Sequence, residues 1–115
     1  MSRPIVFFDI AGPDEPGLRA FYAEVFDWPC GKPGPFEPGN TPSLGGHIRQ
    51  DPKETFLYIG VEDITATLDV ITAKGGEVDD QRFEVPGVAV LGLFRDPAGN
   101  RMGLVEMDGD VAKIP

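Results

Sequence analysis

Apolar residues fall along this chain in two kinds of run, and each kind occurs twice. Ile5-Val6-Phe7-Phe8-Asp9-Ile10 is an apolar run of strand length, closed by the turn sequence Ala-Gly-Pro-Asp, and Phe56-Leu57-Tyr58-Ile59-Gly60-Val61 is a second. Each is followed by a capping aspartate and a helical pattern. Behind Asp14, residues Leu18, Phe21, Tyr22, Val25 and Phe26 recur at the spacing of one buried helix face, and the helix is expected to stop before Pro29. Behind Asp63, the pattern predicts a helix over Ile64–Lys74 that buries Ile64, Leu68 and Ile71, with Gly75-Gly76 as a left-handed C-cap.

A shift of about 49 residues lays Phe7 on Phe56, Ile10 on Ile59, Asp14 on Asp63 and Phe21-Tyr22 on Val70-Ile71, so the chain reads as a tandem repeat. Shorter strands follow each helix. Ser43–Gln50 is the clearest in the first half, and Val78–Glu84, Val88–Arg95 and Arg101–Met107 are expected in the second. The last two are joined by Asp96-Pro97-Ala98-Gly99-Asn100, with Pro at the second turn position and Gly at the fourth. Each half is therefore predicted to be β-α-β-β-β. Between them, Pro29 to Pro42 holds five prolines and three glycines, which excludes helix and any central strand and predicts a loop.

Composition narrows the function classes. The chain has 115 residues, 41% hydrophobic and 25% charged, enough for one domain with a real core. No apolar run approaches the ~20 residues a membrane helix needs, and Met1-Ser2-Arg3-Pro4 shows no signal-peptide pattern, so a cytoplasmic protein without membrane partners is expected. The single cysteine, Cys30, forms no internal disulfide or thiolate metal cluster. A net charge of -9 opposes nucleic acid, because binding to a phosphate backbone rests on neutralising it with Lys and Arg.

The segments Phe21-Tyr22-Ala-Glu-Val-Phe26-Asp-Trp28, Val61-Glu-Asp63-Ile, Gly75-Gly76 and Arg95-Asp96-Pro97-Ala-Gly99-Asn100 resemble, in order and spacing, those of the vicinal oxygen chelate superfamily. That group includes glyoxalase I, extradiol dioxygenases, and bleomycin and fosfomycin resistance proteins. The resemblance runs from about Ile5 to Glu106. It implies an α+β fold: two tandem βαβββ modules, about residues 4–50 and 55–107 of a single domain spanning 1–115, forming a cup-shaped, largely antiparallel sheet with helices on the convex face. It also implies a homodimer, for which the open strand edges of a small sheet are a further reason.

In metal-dependent members, four equivalent places on the first and last strand of each module carry His, Glu or Gln around a divalent ion. Here the two first-strand places are Phe7 and Phe56, and the last-strand place of module two is Gly103, none of which ligates a metal. The fourth falls among Gly45, Gly46 and His47, and its register stays open. A lone His makes no catalytic divalent site, so neither a metal nor another cofactor is expected, and no catalytic residue is assigned.

Strand alternation places Phe7, Asp9, Phe56 and Tyr58 on the cup face and Val6, Phe8, Ile10, Leu57, Ile59 and Val61 toward the helices. The expected ligand site is thus aromatic with few polar anchors: Phe7, Asp9, Trp28 as a wall, His47, Phe56, Tyr58, Arg101 as an anion anchor, and Gly103. Each also has a structural reading, as core packing for the rings, a surface position for His47 and exposure for Arg101. Three functions follow: a metal-independent binder of an aromatic or apolar small molecule; a lyase, isomerase or dioxygenase with a non-standard metal site; and an accessory protein whose cup is filled by its own side chains.

Overall fold

In a computed structural model, residues 2–38 and 44–115 are described, and they form two helices and seven strands in an α+β arrangement. The order is β1 (Ile5–Gly12), α1 (Glu15–Phe26), β2 (Gly45–Gln50), β3 (Glu54–Val61), α2 (Ile64–Ala73), β4 (Glu77–Val85), β5 (Ala89–Arg95), β6 (Arg101–Asp108) and β7 (Val111–Ala112). The chain divides into two compact units: Val6–Leu57, and Tyr58–Pro115 with the residues up to Ile5.

Both helices start where the aspartates predict. Asp14 accepts the Gly17 N–H at 3.1 Å and Asp63 the Ala66 N–H at 2.9 Å, each satisfying an otherwise orphaned donor of the first turn. Pro16 sits in the first turn of α1, where its missing N–H costs nothing. The two ends differ: α1 stops on Asp27 in the left-handed conformation, φ 57°, one step before the prolines act. After α2 the chain turns on Gly75, φ 97°, and the Gly76 N–H returns to the Ile71 carbonyl. A Cβ on Gly76 would lie 2.9 Å from the Arg95 carbonyl oxygen and 2.5 Å from a methyl of Ile71, so only glycine fits.

In the unit Val6–Leu57, β1 and β2 pair in parallel, Phe8 opposite Gly46 and Asp9 opposite His47. Phe8, Ile10 and Ile48 meet Leu18, Tyr22 and Trp28 in a small core closed by Cys30 and Phe36. Here the sequence pattern needs correction. Leu18 and Tyr22 pack inward, but Phe21, Val25 and Phe26 are 53%, 56% and 56% exposed, so the apolar stripe of α1 is wider than the face it buries. Nor do the described residues of this half make three strands after α1. The proline-rich segment contributes a single antiparallel bridge, Phe36 to Gly46, as its missing N–H groups allow no longer ladder. Part of the predicted loop and the start of the predicted strand, residues 39–43, lie outside the described residues.

The other unit follows the β-α-β-β-β pattern and adds β7. Tyr58–Val61 of β3 pairs in parallel with β6, while β6 with β5, β5 with β4, and β6 with β7 are antiparallel. In both units, then, the first strand of the half runs parallel to its last. Ile64 and Leu68 of α2 are buried against Val61, Val90, Phe94 and Leu104. Gly92 is where the helix comes closest: a Cβ there would meet Ile64 at 2.7 Å. The Asp96–Asn100 turn is as expected, with Asp96 accepting the N–H groups of Ala98 and Asn100. Leu57, expected to face a helix, is 43% exposed. Among the described residues, no helix is long and apolar enough to cross a membrane.

Candidate functional site

Asp9 is the centre of a polar cluster on the β1–β2 pair. It is 1% exposed, and the β1–β2 register puts His47 opposite it, with Arg49 two residues further along the same face. His47 Nε2 stands 2.9 Å from Asp9 Oδ1, and Arg49 Nε donates to Oδ2. Arg49 is held on its other nitrogens by Asp51, 2.5 Å from Nη1, and Glu54, 3.6 Å from Nη2, and its guanidinium lies 5.8 Å from the centre of the Phe56 ring. Phe7 meets His47 edge-on at 5.3 Å. Burial alone would raise the Asp9 carboxyl, but the contacts with His47 and Arg49 outweigh it and hold the group below the ordinary carboxylate range. Four expected site residues, Phe7, Asp9, His47 and Phe56, are thereby brought together. Arg49 was not singled out from the sequence, although it shares the strand parity of His47.

Beside this cluster lies a cavity of about 340 Å³, walled by Phe8, Trp28, Leu44, Phe56 and Leu57, with Asp9 its only ionisable lining residue among those described. Trp28 lines this cavity from the helix side: its ring stacks on Tyr22 at 5.1 Å and leans on Phe8 and Phe36 at 5.8 and 5.7 Å. A larger opening of about 540 Å³ lies under residues 111–115, but the cations on its wall, Arg82 and Lys113, are committed to Glu106. The smaller cavity is the one that adjoins unusual chemistry.

Tyr58, Arg101 and Gly103 belong to the other unit. Tyr58 stands opposite Gly103 in the β3–β6 register, and a Cβ on Gly103 would lie 2.3 Å from two carbons of its ring. Gly103, expected among the residues of the ligand site, is thus covered by the ring of Tyr58. Arg101 donates from Nε to Asp79 Oδ2 at 3.0 Å, and Arg95 takes the other oxygen at 3.1 Å. It is thus engaged in a carboxylate pair rather than poised for an anion. Glu106, placed on the last strand but given no role, is the buried acid of this unit: 4% exposed, it accepts hydrogen bonds from Arg82 and Lys113 and from the Ile64 N–H at the start of α2. Led by the Arg82 hydrogen bonds, these partners overcome burial and bring its pKa down to about 2.

The same register settles which residue of β2 corresponds to Gly103. Asp9 and Tyr58 are equivalent in the repeat, and their cross-strand partners are His47 and Gly103. The four places that hold a divalent ion in metal-dependent proteins of the resembled group are therefore Phe7, His47, Phe56 and Gly103. Three offer no donor atom, the Gly103 place is covered by a ring, and His47 Nε2 faces Asp9. Among the described residues no three of His, Cys, Asp and Glu converge on one point. These residues do not fit that ion.

Solved structures share the fold. A methylmalonyl-CoA epimerase in complex with methylmalonyl-CoA is 14% identical with a TM-score of 0.70, over 96% of this chain and 99% of that one. A hypothetical protein from Bacillus halodurans C-125 is 12% identical with a TM-score of 0.71, over 94% and 96%. A methylmalonyl-CoA epimerase from Mycobacterium tuberculosis is 11% identical with a TM-score of 0.65, over 90% and 87%. No curated protein matches the sequence at a significant level. The family model of the Glyoxalase/Bleomycin resistance protein/Dioxygenase superfamily matches residues 5–104, and the chain belongs to that superfamily.

Proposed function

We propose that this chain is a metal-independent small-molecule-binding protein that holds a flat, apolar ligand in the cavity beside Asp9. The observation that carries the reading is that cavity: about 340 Å³ of space between Phe8, Trp28 and Phe56, in a fold whose usual metal donors are replaced by rings and a glycine. Its size suits a compact ligand, and its apolar, aromatic walls match the usual make-up of small-molecule sites. The cavity favours binding over the alternative of a sheet face packed solid. A single domain working as a cytoplasmic homodimer completes the proposal, with the exposed Phe21, Val25 and Phe26 as apolar surface for pairing.

The test is calorimetric titration with a neutral planar probe, 1-naphthalenemethanol, in the presence of EDTA. Saturable binding of one probe per chain, weakened about tenfold by Phe56→Leu, is expected. No saturable binding, or binding indifferent to Phe56→Leu and Phe7→Ala, overturns the reading.

A second reading rests on a different observation, the His47 imidazole set 2.9 Å from a buried carboxylate. A carboxylate that orients an imidazole prepares it to take and return a proton, which is the chemistry of an isomerase acting beside a carbonyl. Solvent deuterium entering a carbon acid at a rate that His47→Gln abolishes would favour this reading.

A further inference from the structure

We infer that the ligand is held on the helix side of the β1–β2 pair, behind the face that carries Asp9 and His47, and that the end of it which enters the cavity bears no charged or hydrogen-bonding group. This goes beyond the proposed binding function, on which it rests, by fixing the side of the sheet and the chemistry of the buried end.

Strand parity divides the pair into two faces, and the contacts follow the division. Asp9, His47 and Arg49 hold one another on one face, where the Arg49 guanidinium also lies over the Phe56 ring. Phe8, Ile10 and Ile48 turn to the other, into the small core with Leu18, Tyr22 and Trp28. Phe8 and Ile10 alternate with Asp9 along β1, as Ile48 does with His47 and Arg49 along β2. The cavity belongs to the helix-side set. Phe8, Ile10 and Trp28 line it, together with Thr55 and Leu57, which alternate with Phe56 along β3.

Asp9 borders the cavity as well, but not with its carboxylate. Oδ1 is inaccessible and 2.9 Å from His47 Nε2, Oδ2 takes the Arg49 Nε–H, and the cavity wall is almost wholly apolar. An entering group therefore finds no charge and next to no hydrogen-bond partner. A hydroxyl, carboxylate or ammonium carried inside would give up its water without replacement, whereas a hydrocarbon ring gains the faces of Phe8 and Trp28. Leu57, 43% exposed, marks the mouth, where a polar substituent keeps its water. The ligand class is thus an uncharged aromatic hydrocarbon whose polar substituents, where it has them, are confined to one end. The same parity puts the His47 imidazole on the far face from the bound molecule, so proton chemistry at His47 and binding in the cavity belong to separate places.

Two titrations and one spectrum test this. 1-Naphthalenemethanol can keep its hydroxyl at the mouth, while 1,5-naphthalenedimethanol has to carry one inward, and calorimetry is expected to show the diol binding about tenfold more weakly. Leu57→Glu, a change at a half-exposed position, should weaken binding of the single alcohol by about tenfold as well. In the unmutated protein, NMR cross-relaxation should connect the bound alcohol to the Ile10 and Leu57 methyls and the Trp28 ring, and not to the His47 ring. Cross-relaxation to His47 with none to Ile10 or Leu57, or an affinity unmoved by Leu57→Glu, overturns the helix-side placement while leaving a binding protein. A diol that binds as tightly as the alcohol overturns the assignment of the buried end. No saturable binding of the alcohol overturns the proposed function along with it.

Discussion

The ring of Tyr58 occupies the space in which a side chain at residue 103 would begin. Their strands pair in parallel with the two residues in register, and an added Cβ would sit 2.3 Å from the ring, well inside contact distance. The loss of a donor at this place is therefore built into the packing, because the glycine and the tyrosine require one another. Restoring an acid there would not restore an ion site. Gly103→Glu is expected to destabilise the fold by about 1–3 kcal/mol through overpacking, and pairing it with Tyr58→Ala should recover part of that loss. Thermal unfolding of the two variants against the parent checks this; a Gly103→Glu protein as stable as the parent would contradict it.

Acid should act through Glu106. Its folded pKa of about 2 lies below its ordinary value of 4.5, so its stabilisation is complete above pH 4.5 and is lost as the pH falls toward 2. That contribution is on the order of 2–3 kcal/mol at neutral pH. Glu106→Gln should be less stable at pH 7 by about that amount and should show a flatter stability profile between pH 4.5 and 2, measured by urea unfolding across the range. Asp9 adds to the same trend, its pKa also being lowered.

Gly76 offers a purely structural control. Gly76→Ala places a methyl against the Arg95 carbonyl at the end of α2, and a loss of about 1–3 kcal/mol without any change in probe binding is expected. Unfolding and calorimetry on one preparation read both quantities.

The exposed face of α1 predicts association. Sedimentation or light scattering should report a dimer at micromolar concentration, and Phe21→Ser with Phe26→Ser should shift it to monomer with probe affinity retained. A monomeric parent protein would remove the homodimer from the account.

Much of this was legible in the chain because local rules decide it. Asp14 and Asp63 cap helices whose starts need only a side-chain acceptor three residues ahead of an N–H, and the face alternation that put Phe7, Asp9 and Phe56 together is a matter of strand parity. What escaped depends on pairing between distant segments. The β1–β2 register, which sets His47 and Arg49 against Asp9 across some forty residues, has no local signature, and neither has the triple hold on Glu106 by Arg82, Lys113 and the Ile64 amide. Periodicity gave α1 a buried face but not the width of surface waiting for it, so the exposure of Phe21, Val25 and Phe26 was invisible. The glycine at 103 was readable as a missing donor. That a ring lies over it was not.

The central claim is that a small molecule is bound without a metal ion, and native mass spectrometry tests it most directly. Protein purified without added metal or chelator is sprayed with and without 1-naphthalenemethanol. The account predicts one probe per chain and no stoichiometric divalent ion. A divalent ion in every chain, with probe binding lost once EDTA removes it, would contradict the account.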